Sequence, residues 1–206
     1  MRKMILLIVV AFLATADSFA QSLWDSSLPD RRLSFGLTAG LNYASTDMDY
    51  ANSVRPSFHA GATVDYAFVK SLSIRAALLY TEKGFKSNFG KASAGYVELP
   101  LQASYHIVTP TGVEFLLNVG PYFAYGISGK TQYEPEDLTF KYAYNQDSFG
   151  GKGFFKSFDM GVSAGIHVKL WHVLLGVNYE YGLTDVANVY GKFHNRNVAA
   201  SLSWQF

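Results

Sequence analysis

Apolar and polar residues alternate along most of this chain. In the last stretch, Val198, Ala200, Leu202, Trp204 and Phe206 fall on one side of an extended strand, and Asn197, Ser201, Ser203 and Gln205 on the other. Successive strand side chains point to opposite faces, so the segment has one greasy face and one polar face. The period begins at Leu33, where Phe35, Leu37, Ala39, Leu41 and Tyr43 alternate with Ser34, Gly36, Thr38, Gly40 and Asn42. A second strand runs from about Ser57 to Phe68, and a third carries Leu72, Ile74, Ala76, Leu78 and Tyr80 on its apolar side. The fourth sets Val97, Leu99, Leu101, Ala103, Tyr105 and Ile107 against Tyr96, Glu98, Pro100, Gln102, Ser104 and His106. Pro100 cannot donate to a ladder, so a bulge or an unpaired position is expected there. The fifth strand follows Thr109-Pro110-Thr111-Gly112, a strong turn sequence. The sixth begins at Phe158, the seventh at Val173 after a minimal turn at Trp171-His172, and the terminal strand is the eighth.

The connections alternate too. Polar stretches at Ser45 to Arg55, Lys83 to Ala94, Gly129 to Phe155 and Thr184 to Asn195 read as long loops, and the intervening connections as tight turns. Within the longest, Tyr133, Phe140, Tyr142 and Tyr144 suggest that part of it extends the flanking strands. The pattern predicts an all-β fold: an eight-stranded antiparallel up-and-down transmembrane β-barrel with short periplasmic turns and long extracellular loops. A soluble barrel with its apolar face inward has the same period, and periodicity alone does not choose between them. Aromatic placement does. Tyr43, Phe58, Tyr80, Phe123, Tyr125, Phe158 and Tyr181 gather at one set of strand ends, and Phe35, Tyr66, Tyr105, Phe115, Trp171, Trp204 and Phe206 at the other. Two girdles around a band of Leu, Val, Ala and Ile fit two membrane interfaces.

The N-terminus reads as an export signal over residues 1–20, with Arg2 and Lys3, an apolar run from Met4 to Leu13, and a Ser18-Phe19-Ala20 cleavage site. Residues 21–32 then form a short polar periplasmic leader and 33–206 the barrel, placed in the outer membrane. Taking Arg2, Lys3 and Asp17 from the 17 basic and 16 acidic residues leaves the two signs equal. Nucleic acid is therefore no expected partner. The chain has no Cys, so a closed sheet rather than disulfides must hold it together.

Charged residues on the polar face are the candidates for anything specific. Counted back from the short turns, Asp65 and Arg75 should lie opposite each other, and so should His106 and Glu114; Glu98, Asp159, Glu180 and Arg196 are expected to share the lumen nearer the exterior. Side chains fill the interior of an eight-stranded barrel, and buried charges must be paired. A packed polar plug is the expectation, with a small-solute pore or a transport or secretion accessory as the alternative. A lipid-modifying hydrolase is the enzyme alternative, since His59 beside Ser57 and His106 beside Ser104 put a base near a hydroxyl. No third group is placed to orient either imidazole, so no catalytic residue is expected. His59, His106, His167, His172 and His194 show no ligand spacing, and no metal or cofactor site is expected.

Several short motifs are similar to a known family. They are Ala39-Gly40-Leu41-Asn42-Tyr43, Phe58-His59-Ala60-Gly61, Leu78-Leu79-Tyr80-Thr81-Glu82-Lys83-Gly84, Val97-Glu98-Leu99-Pro100-Leu101, Gly120-Pro121-Tyr122, Phe158-Asp159-Met160-Gly161 and Tyr179-Glu180-Tyr181-Gly182-Leu183. In this order and spacing the chain resembles the PorT-like outer-membrane β-barrel domain. The resemblance implies an eight-stranded membrane barrel and little about activity. Trp204 and the final Phe206 resemble the C-terminal aromatic signal that barrel-assembly machinery recognises. The other expected partners are outer-membrane lipid and a surface ligand or protein bound through loop 129–155.

Overall fold

The structure is a computed structural model that describes residues 24–46, 54–87, 90–133, 144–149, 155–186 and 194–206. The expected signal segment and most of the loop residues lie outside these. Among the described residues there are ten strands: β1 (Leu33–Thr46), β2 (Arg55–Val69), β3 (Leu72–Ser87), β4 (Gly90–Val108), β5 (Glu114–Ser128), β6 (Lys130–Tyr133), β7 (Tyr144–Asp147), β8 (Phe158–Leu170), β9 (Val173–Gly182) and β10 (Asn195–Gln205). Eight of them pair with their sequence neighbours, antiparallel throughout, and β1 pairs with β10 from Gly36↔Gln205 to Thr46↔Asn195. That seam closes the eight long strands into a barrel and removes both edges, so each of those eight finds main-chain partners on two sides.

The faces fall as the alternation predicts. Leu37, Leu78, Val119, Ile166 and Leu202 are each more than half exposed on the outer surface. Glu98, Asp159, Ser104 and Asn118 are buried inside. An outward apolar belt around a polar interior excludes the soluble arrangement, because water would have to cover the belt.

Where β2 meets β3 and β8 meets β9 the turns are tight, as expected. Trp171 takes a left-handed conformation (φ 57°) and stands 91% exposed. In the Thr109–Val113 turn the Gly112 N–H donates to the Thr109 carbonyl, with Gly112 at φ 82°. Pro100 leaves β4 without pairs to β3 at positions 99 and 100, while the register on either side stays the same. It produces an unpaired position; the irregularity between β4 and β5 lies instead at Gly95/Tyr96.

The opposite end departs from expectation. The segment Lys83 to Ala94 is no long loop: β3 and β4 remain paired out to Ser87↔Gly90. Its Gly, Lys, Ser and Asn content reads as loop, yet Ala92 and Ala94 continue the inward face of β4 and are fully buried. Beyond Gly129, β6 pairs with Gly90 to Ala92 of β4 and β7 pairs with β6, with Tyr133 opposite Tyr144. The long connection therefore does extend the barrel wall upward, as its aromatics suggest. Phe140 and Tyr142 lie outside the described residues.

Candidate functional site: the filled lumen

Inward positions on β3 run from Ser73 at the turn end through Arg75, Ala77, Leu79 and Thr81 to Lys83 at the loop end. At about 3.3 Å per residue, Ser73 and Lys83 are roughly 33 Å apart along the strand, which a tilt of about 40° reduces to about 25 Å along the barrel axis, the height of a membrane-facing apolar band. The lumen is filled in layers between them.

The uppermost layer is apolar. Phe155 and Val186 fold in from the connections and pack on Tyr96, Tyr122, Ala92, Ala94 and Ala124, with Phe149 edge-on to Tyr96 at 5.3 Å. Directly beneath lies the charge cluster. Lys83 Nζ sits 2.6 Å from Glu98 Oε2 and 3.0 Å from Glu180 Oε2, and both ends of the Glu98 pair are 1% exposed. Its ammonium also lies 4.3 Å from the centre of the Tyr122 ring. The Asn197 amide donates to Glu180 at 3.0 Å. Asp159 accepts from Asn195 Nδ2 at 2.8 Å, from the Thr184 hydroxyl at 2.7 Å and from the Tyr122 hydroxyl at 3.3 Å. Lys83 is thus shared by two carboxylates, while Asp159 is held by neutral hydrogen-bond donors, which is how buried charges are made tolerable here.

In the middle, His59 bridges Asn42 Oδ1 (Nδ1, 2.8 Å) and Ser201 Oγ (Nε2, 3.0 Å), and Gln102 donates to Ser163 at 2.9 Å. The His59 ring lies over Gly40, where a Cβ would fall within 2.7 Å of it. The gap left in this section is a cavity of only about 50 Å³.

Lower down, Arg75 Nε donates to Asp65 Oδ1 at 2.7 Å and Nη1 lies 2.8 Å from His167 Nδ1. Asp65 and Arg75 are Cα partners, as expected from the turn. At the turn end, His106 Nε2 lies 2.7 Å from Ser73 Oγ and its Nδ1 meets Glu114 Oε1. The other Glu114 oxygen is 3.5 Å from Lys169 Nζ. A cavity of about 330 Å³ opens beside this group. The leader forms its outer wall. Trp24 stacks on Tyr105 at 6.2 Å, the Ser71 N–H donates to the Asp25 carbonyl, and Arg31 Nη1 donates to the Phe206 carbonyl at 2.7 Å.

Three expectations need correction. His106 and Glu114 do not lie opposite each other: His106 pairs with Leu116 and Glu114 with Val108. They meet diagonally, as residues two apart on one face of neighbouring strands can. Arg196 is not in the lumen. It shares the parity of Val198, faces outward, and its guanidinium lies 5.5 Å from the Tyr181 ring centre. The lumen cation at that level is Lys83, hidden from the sequence reading in a segment taken for loop. Finally, a third group does orient His106. It is Glu114, and the hydroxyl on the far side belongs to Ser73 rather than Ser104; the Ser57 hydroxyl, for its part, donates to the Glu82 carbonyl and not to His59. Glu98, Asp159, Glu180, Asp65 and Arg75 are where the alternation puts them, all buried. Trp204 and Phe206 stand half-exposed on the outer face, Trp204 stacked on His172 at 5.5 Å.

Residues 19–188 match the outer membrane protein beta-barrel domain family. No curated protein matches the chain in sequence. Among solved structures, Neisserial surface protein A is similar with a TM-score of 0.50 and 13% identity, covering 85% of this chain and 100% of that one. Ail, the attachment invasion locus protein of Yersinia pestis, is similar with a TM-score of 0.48 and 12% identity, again over 85% and 100%. OprG from Pseudomonas aeruginosa aligns with a TM-score of 0.39 and 10% identity over 89% and 99%. At these identities the likeness is one of fold.

Proposed function

The chain belongs to the outer membrane protein beta-barrel domain family, which places it in the outer membrane, and from that premise we propose that it is a closed barrel whose lumen is a structural plug. Its specific role then lies at the exterior rim. The observation that carries this reading is the layered filling of the bore. The Lys83–Glu98–Glu180 cluster spans from β3 to β4 and β9, and Phe155 and Val186 cap it. An ion crossing this section would have to break two buried ion pairs and displace the apolar layer. Each step costs several kcal/mol.

The turn end faces the periplasm and residues 1–20 are the export signal under this proposal. The motifs from Ala39 to Leu183 support a PorT-like affiliation within the family. The connection between β5 and β8 carries the surface contact, since a rigid scaffold commonly leaves recognition to its loops. The test is electrical. Purified protein in planar bilayers is expected to show no stable conductance step, and steady open-channel current would overturn the plug in favour of a small-solute pore.

A further inference from the structure

Two serine–histidine–acceptor chains cross the lumen, and their surroundings separate them. Ser201–His59–Asn42 lies in the narrow middle section, where the free space is about 50 Å³, room for a few waters and well below the size of a small-molecule site. Ser73–His106–Glu114 lines a cavity of about 330 Å³ at the turn end, within the range of small-molecule sites. The acceptor differs as well: an amide oxygen in the first chain and a carboxylate in the second. A carboxylate on Nδ1 fixes the tautomer that leaves Nε2 free to take a proton, and it stabilises the imidazolium formed when it does.

We propose that Ser73, His106 and Glu114 form a nucleophile, base and orienting group for acyl transfer from a short carboxylic ester entering from the turn end. The distances place them for it. Ser73 Oγ is 2.7 Å from His106 Nε2, inside the reach required of a general base. His106 Nδ1 is held by Glu114 from a neighbouring strand. Ser73 sits on β3, His106 on β4 and Glu114 on β5, three rigid adjacent strands, so the group is preorganised by the barrel wall. Arg32, Lys70 and Lys169 line the same cavity together with Asp30 and Asp65, so it presents charges of both signs beside the group.

In the first half-reaction Ser73 Oγ bonds to the acyl carbon as its proton passes to His106 Nε2. The ester C–O bond breaks, and the leaving alkoxide takes that proton away as an alcohol. Water then attacks the acyl-serine as His106 Nε2 again takes a proton, the Ser73 Oγ–acyl bond breaks with that proton returned to Ser73 Oγ, and a carboxylic acid is released. No co-reactant other than water is needed. The segment before β1 is bonded to Lys70 and Ser71 at the turn, and its residues Pro29 to Arg32 line the cavity onto which Ser73 opens.

The experiment uses the whole barrel, refolded in detergent and verified by heat-modifiable gel migration, with a fluorophosphonate probe and p-nitrophenyl butyrate. Labelling is expected at Ser73 by peptide mass, and Ser73→Ala should lose it entirely. Ser104, the Cα partner of Ser73, is the internal control: Ser104→Ala should label as wild type. His106→Ala should lower ester hydrolysis by about 10²-fold or more. Glu114→Gln should lower kcat and leave KM unchanged, with recovery in Glu114→Asp, a split that loss of packing alone would not give. If folded wild-type protein is unlabelled, or labels equally in Ser73→Ala, the triad is a lumen hydrogen-bond network and the proposal fails. Should Ser73→Ala not fold, Ser73→Cys replaces it: alkylation by iodoacetamide that slows at least tenfold in His106→Ala supports the assignment, and unchanged alkylation refutes it.

Discussion

At the loop end of the lumen, Lys83 and two glutamates lie beneath Phe155 and Val186, shut off from solvent. At the turn end, His106, Glu114 and Lys169 border an open cavity under a thin leader. Both regions are polar networks on strands of one barrel, built from the same few residue types. Water separates them. In the dry layer a charge has no alternative to its partner, so the pairs act as fasteners and removing one exposes the full penalty of the other. At the turn end Glu114 and Lys169 are 19% and 27% exposed, so solvent partly screens their pair and breaking it costs less. Access to solvent belongs to the turn end and rigidity to the loop end.

The comparison is easiest to break at Lys83. Replacing it by Met keeps the length and leaves Glu98 and Glu180 facing each other without a cation. A loss of about 3–5 kcal/mol is expected, read as a lower urea midpoint for the refolded barrel in detergent. A loss below about 1 kcal/mol, the range of solvent-exposed pairs, would mean that water reaches this layer and that the two ends are not different. A smaller effect is expected at the leader. Trp24→Ala removes the stack on Tyr105 at the turn end and should cost about 0.5–1.5 kcal/mol. Faster proteolysis within residues 24–32 should accompany it while the barrel core stays protected. Equal exposure of both would show that the leader is integral to the wall. The smallest change is expected at Lys156→Ala, which removes a pair with Asp185 whose side chains are 49% and 27% exposed. The midpoint should move by no more than about 0.5 kcal/mol; a larger shift would extend the dry layer outward to the rim.

Most of the wall was legible from alternation alone. The apolar face of every long strand is the outward one, and Asp65, Arg75, Glu98, Asp159 and Glu180 were placed inside by parity. Parity would also have placed Arg196 outside, next to Val198; treating charge as sufficient reason for the lumen overrode the better signal. Lys83 was missed for a compositional reason. Its neighbours are Gly, Lys, Ser and Asn, which read as loop, although Thr81 and Lys83 keep the inward period and Ala92, Ala94 and Tyr96 answer it on the facing strand. Small residues there make room for the apolar cap, a tertiary demand with no local signature. The Ser73–His106–Glu114 group is harder still. Its members come from three strands, and their meeting depends on a diagonal approach that only the β4–β5 register discloses.

The seam between β1 and β10 has a topological consequence. Arg31 is hydrogen-bonded to Phe206, so the segment entering β1 is tied to the residue leaving β10 and the ring of strands has no privileged first member. A short linker from the leader to Phe206, with new ends opened at the exposed Trp171-His172 turn, would make a circular permutant with every strand pair intact. Which strand is made first would then become a choice of the gene and not of the fold.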